Sequence, residues 1–364
     1  MRYLVSLVGE LVIPNLLVAK TVVGIDRHLF ITPRRYENEG SIARICSLCG
    51  IREPLTLVVE EFSLEAIDRS LQGFLDGQGG DAEYVVNLTA GSRVMALAAF
   101  DAFRRKNAQI LYLPPGTNVL QQLWPEHSEQ RLRITRRLSV EEYLRAFGVN
   151  WEPNRDEARP EGQLAAMFRI ITENSNGNFM GRLNRLGQDT NSPRLLQQQD
   201  ATAKFFAREL GIGREEIYDP RWLSFLKGAW FEQYFARWVD RVLGSGTARH
   251  GIRVEKNDVD NEIDTLFAWE NALYVCELKA SAQIGAVNEF LYKLDSIGKD
   301  FGMAPKCFLV IADPDVERDL RHSRHLISRA ERMGIGMVTY EQLKPQNIER
   351  TIRRMAGLHD GKPL

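Results

Sequence analysis

The chain has 364 residues, of which 44% are hydrophobic and 26% charged, with a formal net charge of −1. That length exceeds one compact core and predicts two domains of ordinary globular composition. No apolar run approaches the roughly 20 residues needed to cross a bilayer, and the balanced charge excludes a broadly basic polymer-coating protein. Any nucleic acid would be held transiently or in a locally positive groove, with the Arg-rich stretches 131–137 and 318–332 as candidates beside their plainer reading as solvated faces. The start reads as a strand entering a loop, without a small-residue cleavage site, so a cytoplasmic protein with no membrane association is expected.

From the N-terminus, apolar runs at 3–8, 28–32, 55–60, 84–88 and 110–113 alternate with helical patterns such as 64–75 and 94–106. Alternation of this kind predicts a parallel sheet covered by helices on both faces, a Rossmann-like unit. Ligands of such sheets sit beyond the carboxyl ends of the strands. Two loops are therefore singled out: 9–15 after the first strand and 89–93 after the fourth. The second, Thr89-Ala90-Gly91-Ser92-Arg93, runs straight into a helix. Gly91 admits a ligand to the backbone, free amides at the helix start attract anions, and Arg93 offers a guanidinium fork for phosphate or base. Thr89 and Ser92 add hydroxyls, although Ser92 is equally an N-cap. There is neither a Gly-x-Gly-x-x-Gly nor a Walker loop, which disfavours NAD and ATP. Cys46 and Cys49 form a Cys-x-x-Cys without a second pair or a His partner, so a reduced structural pair is expected rather than zinc; Cys276 and Cys307 read as core.

Residues 117–134 read as a hairpin, and Ser139 to Glu142 as a capping box. The polar, Pro-containing stretch 150–162 marks a boundary. It divides the chain into an N-terminal α/β domain (1–148), a helical connector (149–215) and a C-terminal domain (216–364). In the connector, 162–173 and 196–210 look helical around a polar loop, 174–192.

Residues 223–243 read as one amphipathic helix, with Leu226, Trp230, Tyr234 and Trp238 spaced by four and Glu232 within it. Two apolar runs follow, one carrying Asp264 and the next Glu277-Leu278-Lys279, with a tight turn expected at Asn271-Ala272. That turn would set Asp264 opposite Lys279 and Leu266 opposite Glu277. Asp264, Glu277 and Lys279 then share a sheet face, because side chains repeat with period two. Two carboxylates and an ammonium on one patch suit divalent-metal phosphodiester hydrolysis. A solvated sheet face has the same pattern, but both runs are apolar enough for central strands. A helix at 286–299 and strands at 306–311 and 336–340 complete this part, with Gln283 and Lys293 near the patch.

Helix with Glu232, strand with Asp264, strand with Glu277 and Lys279, then helix: residues 222–342 resemble the PD-(D/E)XK nuclease superfamily. The resemblance implies catalysis by Asp264, Glu277, Lys279 and Glu232, with Asp264, Glu277 and Glu232 holding Mn2+ or Mg2+. Strand, Asn87-Leu88-Thr89-Ala90-Gly91-Ser92-Arg93, helix is similar to the signature of CARF domains, which sense cyclic oligoadenylates in type III CRISPR immunity. Ser6 to Glu10 with Pro14 and Asn15 looks like their first ligand loop. Ala90 departs from the Gly or Pro frequent in that signature. Gly9, Glu10, Pro14, Asn15, Thr89, Ala90, Gly91, Ser92 and Arg93 are thereby implied to bind the ring, lined further by 112–118. The conjunction resembles the cyclic-tetra-adenylate-activated nucleases of that pathway. It implies a homodimer that cuts single-stranded DNA or RNA in antiviral defence, with a Rossmann-like CARF domain and a restriction-endonuclease-like domain containing a mixed sheet. Two other readings stay open: a non-catalytic sensor whose residues 160–215 bind DNA, and a constitutive restriction or repair nuclease.

Overall fold

The computed structural model describes residues 1–125, 131–154, 156–174, 177–256, 259–301 and 305–358. Its contacts resolve into two compact units, one built on Met1–Asn150 and the other on the bulk of 151–364.

The first unit alternates strand and helix: β1 (Arg2–Leu7), α1 (Val12–Thr21), β2 (Arg27–Pro33), α2 (Arg34–Asn38), α3 (Ser41–Cys49), β3 (Leu55–Val59), α4 (Leu64–Asp76), β4 (Glu83–Asn87), α5 (Arg93–Arg104) and β5 (Gln109–Tyr112). A hairpin, β6 (Val119–Trp124) and β7 (Arg131–Arg133), and α6 (Val140–Ala146) follow. Residues 126–130 of that expected hairpin lie outside the described residues. The strand order is β3-β2-β1-β4-β5-β6-β7. The first five strands are parallel, as the helical crossovers require, and the hairpin adds an antiparallel edge. Alternate β1 residues Tyr3, Val5 and Leu7 pack with Ile67 and Leu71 of α4 and with Ala99 and Phe103 of α5. Burying each such aliphatic side chain contributes about 1.5–3 kcal/mol. One boundary differs from the sequence reading. Pro14 does not keep 9–15 in a loop, because α1 begins at Val12 and places Pro14 in the first turn, where no intrahelical donor is needed.

The second unit contains β8 (Asn150–Glu152), α7 (Glu161–Glu173), α8 (Gly177–Arg185), α9 (Pro193–Leu210), α10 (Pro220–Ser224), α11 (Trp230–Leu243), β9 (Ala248–Lys256), β10 (Val259–Trp269), β11 (Ala272–Lys279), α12 (Val287–Asp300), β12 (Lys306–Ile311), α13 (Pro314–His322), α14 (Arg324–Arg332), β13 (Ile335–Val338), α15 (Tyr340–Leu343) and α16 (Ile348–Met355). Its sheet, ordered β13-β12-β11-β10-β9-β8, is mixed: β9 and β10 are antiparallel, while β11, β12 and β13 are parallel.

Three elements differ from what the sequence predicts. The polar stretch 174–192 is not a loop throughout, since α8 forms and buries Phe179 and Leu183, four residues apart. The helix expected over 223–243 is broken by a π-helical turn at Phe225–Ala229, where Gly228 leaves helical geometry. The strand expected to reach Tyr340 stops at Val338, because Thr339 caps α15 in a capping box with Gln342.

Candidate functional site

In the first unit, β1 has β2 on one side and β4 on the other, so the chain order of the strands reverses between β1 and β4. Such a reversal opens a crevice beyond the carboxyl ends, where the loops after β1 and β4 lie. Gly9 and Gly91 face each other there. A Cβ on Gly9 would sit 2.9 Å from Gly91 N, and one on Gly91 would sit 3.0 Å from Leu7 Cβ. Gly91 also has φ +81, a left-handed conformation that favours glycine.

Two fully buried asparagines tie the loops together. Asn15 Nδ2 donates to Leu7 O at 2.8 Å, and Asn87 Nδ2 donates to Asn15 Oδ1 at 2.8 Å. Asn87 Oδ1 accepts from Thr89 N and from Thr89 Oγ1, which in turn accepts from Leu113 N at 2.8 Å. Ser92 is the N-cap of α5, accepting from Met95 N and donating to Glu61 O at 3.0 Å. The hydroxyls of Thr89 and Ser92 are thus engaged inside the protein. Ala90 is buried and Pro14 half-buried, whereas Glu10, Gly91 and Arg93 are exposed at the crevice. No described residue holds the Arg93 guanidinium. The signal in the sequence for the structural role of Asn87 is a polar residue ending an apolar strand. Cys46 and Cys49 are free, with burial pushing both thiols up, Cys49 to about 11.

The hairpin turn between β10 and β11 is centred one residue earlier than expected. Glu270 and Asn271 have φ of 48 and 58, the left-handed pair of a type I′ turn. The turn brings Trp269 beside Ala272, so counting back sets Phe267 opposite Tyr274, with rings stacked at 4.3 Å, and Asp264 opposite Glu277. The expected pairings of Asp264 with Lys279 and Leu266 with Glu277 are therefore displaced by two residues. That displacement preserves parity, and all three charged groups still emerge on one face.

Asp264 and Glu277 are buried, 8% and 2% exposed. Lys279 Nζ lies 2.7 Å from Glu277 Oε1 and 3.4 Å from Asp264 Oδ2, and the Leu278 amide donates to the same Asp264 oxygen at 2.6 Å. Lys293 from α12 donates to both oxygens of Glu277, at 2.9 and 2.7 Å. Gln283 is exposed. Burial, then repulsion from Glu277, raises the Asp264 carboxyl despite Lys279. Burial pulls the Lys279 ammonium down, but Asp264 and Glu277 outweigh it and the group is raised.

Glu232 lies in the first turn of α11, half-buried. Burial pushes its carboxyl up to about 8, with the Asp264 and Glu262 charges adding to the rise and Lys279 opposing it. It lies against β9, where a Cβ on Gly251 would meet Glu232 Oε2 at 3.0 Å and Asn154 Nδ2 at 2.2 Å. Asn154 also contacts His250 Nδ1 at 3.3 Å. Gly251 and Asn154 escaped the sequence reading, since only β9 packing against α11 makes them neighbours of Glu232. Glu232 feels the field of Asp264 but is joined to neither strand carboxylate by a hydrogen bond among the described residues.

Buried carboxylate oxygens are the donors a hard divalent ion takes, and the bare backbone at Gly251 gives Glu232 room beside them. Among the described residues, however, no three His, Cys, Asp or Glu groups are close enough together to hold a metal as they stand. The donor chemistry fits; the closure of the set around an ion is not present in this arrangement.

A doubly wound α/β sheet with a crevice at its reversal point is an architecture that binds ligands there, here followed by a unit carrying a buried acid–lysine cluster. Residues 3–143 match the family model of the Card1 CARF domain, and the N-terminal unit is a CARF domain. No curated protein matches the chain by sequence. Solved structures that share its fold include the following three. Can2 from Sulfobacillus thermosulfidooxidans, in complex with cyclic tetra-adenylate, is 20% identical with TM-score 0.71, covering 96% of each chain. Protein VC1899 from Vibrio cholerae is 18% identical with TM-score 0.74, covering 98% of this chain and 99% of its own. A type III CRISPR defence DNA nuclease activated by cyclic oligoadenylate is 19% identical with TM-score 0.54, covering 85% of this chain and 45% of its own. Among the described residues no helix is long and apolar enough to cross a membrane.

Proposed function

We propose that this protein is a metal-dependent endonuclease of PD-(D/E)XK type, switched on by a cyclic oligoadenylate bound at its CARF crevice. Single-stranded DNA or RNA is the substrate, and type III CRISPR antiviral defence is the setting. The observation that carries the reading is the buried convergence of Asp264, Glu277 and Lys279 in a chain whose other unit is a CARF domain. Buried charges on central strands are costly, and their retention points to chemistry.

Asp264, Glu277 and Glu232 would hold Mn2+ or Mg2+, and the chemistry supplied there would be Lewis acidity and a lowered pKa for water. Lys279, its ammonium stabilised by two carboxylates, stays protonated at neutral pH. With that charge it orients the attacking water and offsets charge developing on the phosphorane. The Leu278 amide and Lys279 together fix Asp264, so its carboxylate needs little reorganisation during the reaction.

At the crevice, exposed Gly91 and Arg93 and the start of α5 are suited to a phosphate of the ring. A cyclic tetra-adenylate has two-fold symmetry, and a homodimer pairing two copies of this loop matches it. The ligand switches the enzyme by favouring one arrangement of the dimer over another. The deciding experiment measures cleavage of single-stranded and duplex DNA and RNA with Mn2+ or Mg2+, with each cyclic oligoadenylate in turn. Ring-dependent cutting is expected. Cutting equally fast without any ring removes the sensor reading, and no cutting under any combination removes the nuclease reading.

A further inference from the structure

Helix α12 presents two residues, three apart, to the acid–lysine cluster: the Phe290 ring, 5.1 Å from Lys279 Nζ, and Lys293. Positions i and i+3 share a helix face. An adjoining face of α12 is anchored by Val287 and Leu291, both fully buried, and by Leu294 at 1% exposure. The helix itself is therefore fixed, and only the four-carbon stem of Lys293 is free to swing.

Lone pairs on the two acids are used unequally. A carboxylate has about four lone-pair sites. On Glu277, Lys293 occupies one on each oxygen and Lys279 a third. On Asp264, the Leu278 amide and Lys279 share Oδ2, and no described residue donates to Oδ1. An incoming cation thus meets an available oxygen on Asp264 and a nearly saturated carboxylate on Glu277.

Charge balance points the same way. Ionised Asp264, Glu277 and Glu232 together match a divalent ion plus the Lys279 ammonium. Among the groups touching Glu277, Lys293 then sets a second ammonium beside an incoming cation, with Glu262 and Asp156 acting on Glu232 only through their charge, and low-dielectric surroundings make cations so close together expensive. Its side chain is 39% exposed, against 3% for that of Glu277, so a route into water is open to it.

Resting on the nuclease reading, we propose that Lys293 is a positioning residue and internal counter-ion. It holds the Glu277 carboxylate in place and competes with the divalent cation for its oxygens. Cation entry requires its ammonium to leave Glu277 for solvent. The centre is thereby kept closed to metal until the competition is won.

The test is a set of thermal melts of the full-length protein and of Lys293→Met, Lys293→Gln and Lys293→Arg, titrated with Mn2+, beside cleavage assays of the same proteins. The Mn2+ concentration giving half the rise in Tm is expected to fall on the order of tenfold in the Met and Gln variants. The Arg variant, which keeps the charge, stays near wild type. The Gln variant retains a hydrogen-bond donor and covers the case in which Met fails to fold. An unchanged or higher midpoint in Met and Gln overturns the proposal. If wild type still cuts, only the role of Lys293 is lost. If wild type neither cuts nor responds to Mn2+, and the variants behave alike, the metal centre is lost with it.

Discussion

The crevice of the CARF domain and the acid–lysine cluster use polar side chains in opposite ways. In the crevice, Asn15, Asn87, Thr89 and Ser92 spend their hydrogen bonds on one another and on the backbone. What stays exposed at the crevice is Gly91, with the side chains of Glu10 and Arg93. In the cluster, by contrast, ionic groups are buried together with their charges incompletely neutralised, and the carboxyls of Asp264 and Glu232 are both raised. A motif residue in the first region shapes a surface; in the second it carries the buried charge on which the proposed chemistry rests. Substitutions should therefore fail differently in the two places.

The largest expected effect is on turnover. Glu277→Gln or Asp264→Asn should lower single-turnover cleavage by about 10³-fold or more, as loss of a principal electrostatic group does. Binding of cyclic tetra-adenylate, read by calorimetry, should be unchanged. Cleavage within tenfold of wild type in both variants would break the contrast at once.

Asn87→Ala addresses the scaffold side. It leaves Asn15 Oδ1 without its buried donor and frees Thr89, so a stability loss of about 2–4 kcal/mol is expected in denaturant melts. Activation should fall with it. A variant as stable as wild type would show that the network is incidental.

Glu232→Gln sharpens the comparison through pH. The folded protein holds this proton up to about pH 8, whereas an unfolded chain releases it near 4.5. The stabilisation is complete below about 4.5 and is lost as pH rises toward 8, because the folded state binds the extra proton over that window. In metal-free melts, wild type should lose roughly 1–3 kcal/mol between pH 5 and 8.5 relative to Glu232→Gln. Parallel pH profiles would show that Glu232 is not held in a buried field.

The smallest effect is expected from Arg93→Ala. Losing one exposed charged contact should weaken ring binding about tenfold, or about 1.4 kcal/mol, more at low salt than at high. Saturating ligand should restore full cleavage. An unaltered affinity would remove Arg93 from the ligand set while leaving the loop geometry intact.

Much of this protein was legible in its residues, and the reason is periodicity. Alternating apolar runs placed β1 to β5 to within a residue or two, and period two put Asp264, Glu277 and Lys279 on one face even though the turn was misplaced, since parity survives a shift of two. The tertiary structure decided what depends on contacts between distant segments. It placed Lys293 on Glu277 across 16 residues of chain, and Asn154 and Gly251 beside Glu232. It also broke the long helix at Gly228, folded α8 from a stretch too polar to announce itself, and turned Thr89 and Ser92 inward. Local pattern governs which face a side chain takes, because backbone geometry repeats along the chain. Which partner then claims its lone pairs, and which charges remain for chemistry, is settled only when elements pack and water is excluded.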